Sequence, residues 1–427
     1  MRSYRPLTGV RVLTFEAAVT LPSATRVMAD LGADVVQVRR PGRAVDNFIA
    51  TYDGTLINKQ SILIDLRMEE GRTLALRLAA QADVVCNNFT PRVMRGFGLD
   101  YGRLRAVRED QIVMQLSGYG APGPWADYPA YGPSVEAAGG LNSLIGNEGE
   151  VPVRIGGGVF ADQLAGRYAT VALLAALVHR QQTGEGQYID LSMYEGIVHV
   201  HGQDVMAASA AGPDPARRGN RDPAIAPQGI YAAAGADEWV AISVETDEQW
   251  RALAECIGFD DASLDRVEAR RERHDEIDEA IAAWARQRSK HDAAELLQSC
   301  GVIAGPVQAP RDLAVDAGYI ERGHFRPIRH REPIAAATWH PHLSQLPKIN
   351  GARRAPLTEA HADGADNAAV LKSWLGLDAA EVRQLHESGV TPTGIPLVTS
   401  ASDVPRRGPS DADHAARVGR AHGQDAP

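Results

Sequence analysis

One aspartate is placed where chemistry would need it. Asp162 lies between a glycine-rich stretch ending in Gly156-Gly157-Gly158 and a strongly apolar helical segment that runs from Asp162 to Gln182. An Asp at that point fits two roles. It caps a helix, since its side chain accepts from orphan backbone amides and suits the positive end of the dipole. Equally, it serves as a carboxylate nucleophile where free amides stabilise charge on an acyl adduct. Position along the chain does not separate the two. Arg39 and Arg40 close an apolar strand pattern just ahead of Pro41-Gly42, with Arg67 and Arg95 further on. They read either as a solvated basic end or as a phosphate clamp at the carboxyl edge of a parallel sheet.

Other chemistry is argued against. His199 and His201 stand two apart in a helical pattern, which puts them on different faces, and His340 and His342 flank Pro341 with no cysteine nearby. No metal site is expected from either pair. Cys86, Cys256 and Cys300 are too few for a disulfide framework, form no C-x-x-C, and read as apolar filler. There is no G-x-G-x-x-G, Walker A, H-E-x-x-H or G-x-S-x-G pattern, and the turn after the first strand reads Glu16-Ala17-Ala18-Val19-Thr20-Leu21-Pro22. That argues against a nicotinamide dehydrogenase.

The elements that must position these residues alternate. Val10–Phe15, Asp34–Val38, Asp83–Cys86 and Gln111–Leu116 read as strands, and Leu21–Leu31 and Glu69–Ala80 as helices. Short β-α-β joints require a parallel sheet with right-handed crossovers, so the fold class is α/β, doubly wound or close to it. A glycine-rich region spans 118–158, followed by the long helix of 162–182, a strand at Gln187–Ser192 and a helix at Tyr194–Ala208. Ala211–Pro227, rich in Pro, Gly and Arg, is a linker. Two short strands in Gly229–Val244, helices near 246–257, 262–287 and 289–299, and a strand in Gly301–Gln308 form a smaller α+β domain. After 318 the pattern is irregular until two helical patterns, Asp363–Leu375 and Asp378–Gly389. Thr391–Pro427 lacks apolar periodicity and reads as a disordered tail.

Composition excludes several classes. The 427 residues are 44% apolar and 23% charged, with 44 basic against 54 acidic residues and a net charge of −10. This is globular rather than fibrous or disordered. The acidic balance speaks against nucleic acid and anionic membrane as partners. No signal peptide h-region is visible, and no apolar run reaches the ~18–20 residues of a membrane span. The expected compartment is cytoplasmic.

Ten stretches in order resemble the class III CoA-transferases, whose members include formyl-CoA transferase, carnitine CoA-transferase and alpha-methylacyl-CoA racemase. They are LTGVRVLTF, DLGADVVQVRRPG, NKQSILIDLRMEEGR, ADVVCNNFTP, SGYGAPGP, YGPSVEAAGGL, the Asp162 helix, TGEGQYIDLSMYE, RRGNRDPAIAPQGIY and GVIAGPVQ, together covering roughly residues 5–390. The resemblance implies a Rossmann-like large domain with a parallel sheet, a smaller α+β domain, and an interlocked homodimer. On this chain that organisation becomes 1–210 as the CoA-binding large domain, 211–228 as linker, 229–317 as small domain, 318–390 as return linker and completion of the large domain, and 391–427 as tail.

The resemblance also implies roles. Asp162 falls on the nucleophilic aspartate. Contacts to CoA fall on the backbone of Ala18 and Val19 and on Arg40, Arg67 and Asn88. The family's next arginine falls on Gly96, with Arg95 adjacent, and the usual Glu before Arg40 is Arg39 here. The glycine loop that covers the active site in formyl-CoA transferase has no counterpart. No histidine lies between Leu99 and Arg167, where the racemase has its second base, and Tyr131 takes that place as a candidate contact to the acyl or carboxylate group. The implied activity is an acyl-CoA:carboxylate CoA-transferase with acyl-CoA and a small carboxylic acid as substrates and no tightly bound cofactor. The alternatives are an acyl-CoA racemase or epimerase of the same fold and a catalytically silent acyl-CoA-binding protein.

Overall fold

Runs such as Val12–Phe15 and Val35–Val38 are buried throughout, the pattern of strands covered by helices on both faces. The computed structural model describes residues 4–42, 54–155, 159–211, 216–334, 337–343, 349 and 357–392. Gly156–Gly158 and most of the expected tail lie outside the described residues. The described residues fall into two compact units. One draws on Met1–Val135, Val159–Ile197 and Gly323–Pro427, and the other on Glu136–Gly158 and Val198–Arg322.

The first unit opens with β1 (Arg11–Phe15), α1 (Thr20–Asp30), β2 (Asp34–Arg39), β3 (Gln60–Leu63), α2 (Glu69–Ala79), β4 (Val84–Asn87) and β5 (Ile112–Ser117). It continues with α3 (Phe160–Thr183), β6 (Tyr188–Ser192) and α4 (Met193–Val200). The six strands are all parallel, in the order β3-β2-β1-β4-β5-β6. From β1 the chain winds outward to β2 and β3, then returns to start β4 on the other side of β1. Winding reverses there, so loops leaving the carboxyl ends of β1 and β4 diverge and open a crevice. The α/β expectation is met, with β3 added. Its polar start, Gln60-Ser61, hid it.

The helix expected over Tyr194–Ala208 is broken. It stops at Val200 and a second helix begins at Gly202, because His201 is buried at the joint with Nε2 2.6 Å from the Gly139 carbonyl.

The second unit has an antiparallel sheet of β7 (Gln228–Ala232), β8 (Trp239–Ser243) and β9 (Ile303–Pro306), covered by α5 (Asp247–Ile257), α6 (His274–Ala285) and α7 (Lys290–Ser299). Trp250, Leu253, Ile277, Ile281, Trp284 and Leu297 fill its core. Arg270, fully buried here, is satisfied by the carbonyls of Ala226, Leu264 and Asp265 and by Asp247.

After this unit the chain forms a hairpin, β10 (Phe325–Ile334) and β11 (Ala337–Leu343), then α8 (Asn367–Leu375) and α9 (Ala379–Glu387). The irregular reading past 318 missed the hairpin because Pro327, Pro333 and Pro341 interrupt any strand alternation. The C-terminal helices complete the first unit. Val370, Leu371, Trp374, Leu377 and Val390 share a core with Leu13, Phe15, Val36 and Val85. Asp366 and Asn367 accept from the backbone amides of Ser61 and Leu63 at 2.7 and 2.9 Å, which closes the open edge of β3. Thr391, expected to begin the tail, is buried, with its amide on the Leu385 carbonyl.

Candidate active site

The turn from β1 into α1 lies at the reversal of winding, and it is held from two sides. Asn88, just past β4, donates through Nδ2 to the Ala17 carbonyl (2.7 Å) and accepts at Oδ1 from the Ala17 amide (2.9 Å). This two-point grip on one residue fixes the neighbour of Ala18, which is exposed and sits at φ 57°, a region that costs a non-glycine residue energy. Val19 follows as the N-cap of α1. Beneath the turn, buried Glu16 accepts from Thr14 (2.9 Å), Thr25 (2.6 Å) and Lys59 (2.7 Å). The Lys59 ammonium also donates to the Pro22 carbonyl and Thr25 Oγ1. Burial lowers the Lys59 pKa and Glu16 opposes that. Every donor of this buried cation is satisfied, the condition for keeping a charge inside. Cys86 nearby is fully buried, and burial pushes its thiol up to about 12, so it stays neutral as apolar filler.

Asp162 occupies the first turn of α3, two residues after its start, and the N-cap is Val159 with no side-chain cap bond. Asp162 is therefore not the N-cap residue itself. Its side chain turns across to α1, where the Thr20 hydroxyl donates to Oδ1 at 2.5 Å. Thr20 Oγ1 also lies 3.6 Å from the Met193 sulfur. Thr20, Asp162 and Met193 are 3, 6 and 5% exposed, so the carboxylate is largely withdrawn from water.

The two helices can approach this closely for a local reason. Ala161, Ala165, Ala169, Leu173 and Ala176 form a narrow buried stripe on α3, and Gly166 lies one turn below Asp162. A Cβ on Gly166 would stand 1.9 Å from Ser23 Oγ and 2.8 Å from the Thr20 carbonyl. A glycine is required there for the carboxylate to reach Thr20. Thr20, Ser23, Gly166 and Met193 escaped the sequence reading because nothing local marks them. The small-residue spacing of α3 was the one available signal.

The arginines separate by burial. Arg39 points inward to an ion pair with Asp363 at 2.6 Å, and burial lowers its guanidinium, with Asp363 opposing. As half of a phosphate clamp Arg39 is thus corrected to a core residue. Arg40, one position on, is exposed and lines a cleft of about 540 Å³ with Pro41, Gly42, Asp65, Arg67, Gly389 and Pro392. Arg67 bonds Asp65 through Nη2 at 2.5 Å and through Nε, yet keeps 65% of its side chain exposed. The Arg67 guanidinium holds the Asp65 carboxyl below its usual range. Two cations over one carboxylate leave a net positive cleft.

Arg95 stands exposed on the short helix Pro91–Phe97 and does not line this cleft; its charge is felt at Tyr188. Tyr131 has a 67% exposed side chain, and its carbonyl accepts from Ser134 Oγ at 2.8 Å. The glycine loop between β5 and Tyr131 is pinned by Asp190, which accepts from the Ala121 amide. In that loop Trp125 and Tyr128 cluster with Tyr119 and Tyr194, an aromatic group the sequence reading did not single out. Among the described residues no group of three His, Cys, Asp or Glu could hold a metal ion, and no helix is long and apolar enough to cross a membrane.

The fold places the protein among Rossmann-like α/β enzymes. A family model described as CoA-transferase family III matches residues 7–362, and the chain belongs to that family. It is 32% identical over 336 residues to the succinyl-CoA–D-citramalate CoA-transferase of Chloroflexus aurantiacus, covering 75% of this chain and 83% of that protein. A probable CoA-transferase of Mycobacterium tuberculosis is 30% identical over 401 residues, 89% of this chain, which spans only half the length of that relative. The solved structure of a CaiB/BaiF family protein from Brucella suis superposes with a TM-score of 0.76 at 28% identity, covering 86% of this chain and 99% of that one. The chain is accordingly a transferase enzyme of that family.

Proposed function

We propose that this protein is an acyl-CoA:carboxylate CoA-transferase with Asp162 as its nucleophile. The observation that carries this reading is the Asp162 carboxylate itself, withdrawn from water in the first turn of α3 and held by Thr20. An ionised carboxylate in such a place loses the hydration that would blunt its attack. Asp162 adds to the carbonyl of the donor thioester, the carbon–sulfur bond breaks, and a mixed anhydride and CoA thiolate result. The thiolate adds to the aspartyl carbonyl, releasing the donor acid and leaving an aspartyl–CoA thioester. The acceptor carboxylate displaces the thiolate to give a second anhydride. Attack of the thiolate on the acceptor carbonyl forms the new acyl-CoA and restores Asp162.

Arg40 and Arg67 would take CoA phosphates in their cleft, Ala18 and Val19 would offer backbone to the cofactor portion, and Tyr131 would meet the acyl group. Asn88 contributes by holding the turn that presents Ala18. The relative from Chloroflexus is named for a dicarboxylic donor and a carboxylic acceptor, which supports carboxylates on both sides of the exchange. On this reading the working form is an interlocked homodimer in the cytoplasm.

The test is covalent trapping. Incubated with a panel of acyl-CoAs, the wild type should form an Asp162–CoA thioester that hydroxylamine or borohydride captures, seen by peptide mass spectrometry. Asp162→Ala should form none and lose transfer by more than ~10³-fold while keeping its circular dichroism and size. An absence of adduct across the panel overturns the transferase reading, and deuterium wash-in at the α-carbon without acyl exchange would point to a racemase.

A further inference from the structure

We propose that Thr20 is a second catalytic residue, whose hydroxyl supplies a hydrogen bond to the oxyanion that forms on Asp162 Oδ1 each time the aspartyl carbonyl is attacked. The inference rests on the nucleophile reading above and adds a residue to it.

The geometry is specific. A threonine hydroxyl has a single proton to donate. Two acceptors face it, the Asp162 carboxylate at 2.5 Å and the Met193 thioether at 3.6 Å. A thioether is a weak acceptor and a carboxylate a strong one, so the hydroxyl donates its proton toward Oδ1. The hydroxyl is fixed in place by packing. Thr20 is the first residue of α1, it is buried, and Ser23 donates to its carbonyl at 2.8 Å.

Consequences follow for each step. In this assignment Oδ1 stays on the Thr20 hydroxyl and Oδ2 attacks the donor carbonyl. After that attack Oδ2 is the bridging oxygen of the anhydride and Oδ1 the aspartyl carbonyl oxygen. When CoA thiolate adds to Cγ, a carbon–sulfur bond forms and the carbonyl π pair moves onto Oδ1. The negative charge then develops on the atom that Thr20 already holds. Collapse restores the carbonyl and breaks the Cγ–Oδ2 bond, releasing the donor acid. When the acceptor carboxylate adds to the thioester carbon, the π pair again moves onto Oδ1, and collapse breaks the carbon–sulfur bond and releases CoA thiolate. Thr20 therefore acts in the two steps at Cγ, and not in the two steps at the substrate carbonyls. A donor placed before the charge appears costs no reorganisation at the moment of reaction, and such donors are commonly worth roughly 10²–10³-fold.

The experiment compares Thr20→Val, Thr20→Ala and Thr20→Ser with the wild type, each checked for thermal stability. An acyl-CoA that gives the wild-type adduct serves as donor. Rapid quench follows the rate of Asp162–CoA thioester formation, and steady-state assays give kcat and KM. The expected result for Thr20→Val and Thr20→Ala is a fall of roughly 10²–10³-fold in both adduct formation and kcat, with KM for acyl-CoA within about threefold. Thr20→Ser, which keeps the hydroxyl, should recover activity to within about tenfold of wild type. Adduct formation at the wild-type rate in a folded Val or Ala variant overturns the proposal. So does a folded Ser variant as impaired as those two. If the wild type itself forms no adduct, the failure belongs to the Asp162 reading instead.

Discussion

At the scale of single residues, the basic pair at the end of β2 divides its labour, with Arg39 the last strand residue and Arg40 just beyond it. Arg39 turns inward to Asp363, and Arg40 turns out to the cleft. Arg67 reaches the same cleft but already shares its charge with Asp65. Arg40 is thus the cation with more to gain from a phosphate. Arg40→Ala should weaken CoA binding by about tenfold, ~1.4 kcal/mol, at low ionic strength, and by less at high ionic strength, because exposed charges are screened by salt. Calorimetric titration at two salt concentrations checks this, and an equal loss at both would remove the phosphate clamp. The Arg39/Arg40 split was not legible locally, since β2 is buried on both faces and Arg40 lies just past its end. Nor was the partner Asp363, because more than three hundred residues separate it from Arg39 in the chain.

At the scale of elements, the site depends on how closely α1 and α3 pack. The Cβ of an alanine at 166 would collide with Ser23 Oγ and crowd the Thr20 carbonyl. Gly166→Ala should therefore destabilise by about 1–3 kcal/mol, the usual cost of overpacking, and lower kcat as α1 shifts Thr20 from Asp162. Gly96→Ala is the control. Its Cβ would meet open space on an exposed helix, and alanine is the better helix former, so stability should hold or rise slightly. Urea unfolding of both variants makes the comparison, and equal stability would mean that the helices are not in contact at Gly166.

Helices and strands with strong periodicity were readable, α1, α2, α3, β1, β2 and β5 to within a few residues. Missed elements share one cause, in that their local sequence carries a competing signal. Prolines mask the β10–β11 hairpin, and a polar start masks β3.

At the scale of the whole molecule, the first unit is assembled from three separated stretches of chain. Its sheet edge at β3 is closed by residues more than three hundred positions away. Asn367→Ala would leave the Leu63 amide without its acceptor at a buried strand, and the expected loss is about 1–3 kcal/mol. Thermal unfolding measures it, and an unchanged midpoint would mean that the C-terminal segment is not needed to seal the sheet.

The α/β class, the parallel sheet, the family and the candidacy of Asp162 were all present in the amino-acid order, because periodicity and short motifs are local and survive being read one stretch at a time. That Asp162 is not the N-cap residue and that it meets Thr20 was decided only by the tertiary structure. Capping depends on the residue's own backbone a few positions away. The Thr20 hydroxyl that holds it is 142 residues distant, brought there by a glycine that lets two helices touch. A contact of that kind is set by packing in three dimensions, and the small-residue spacing of α3 is its one local trace.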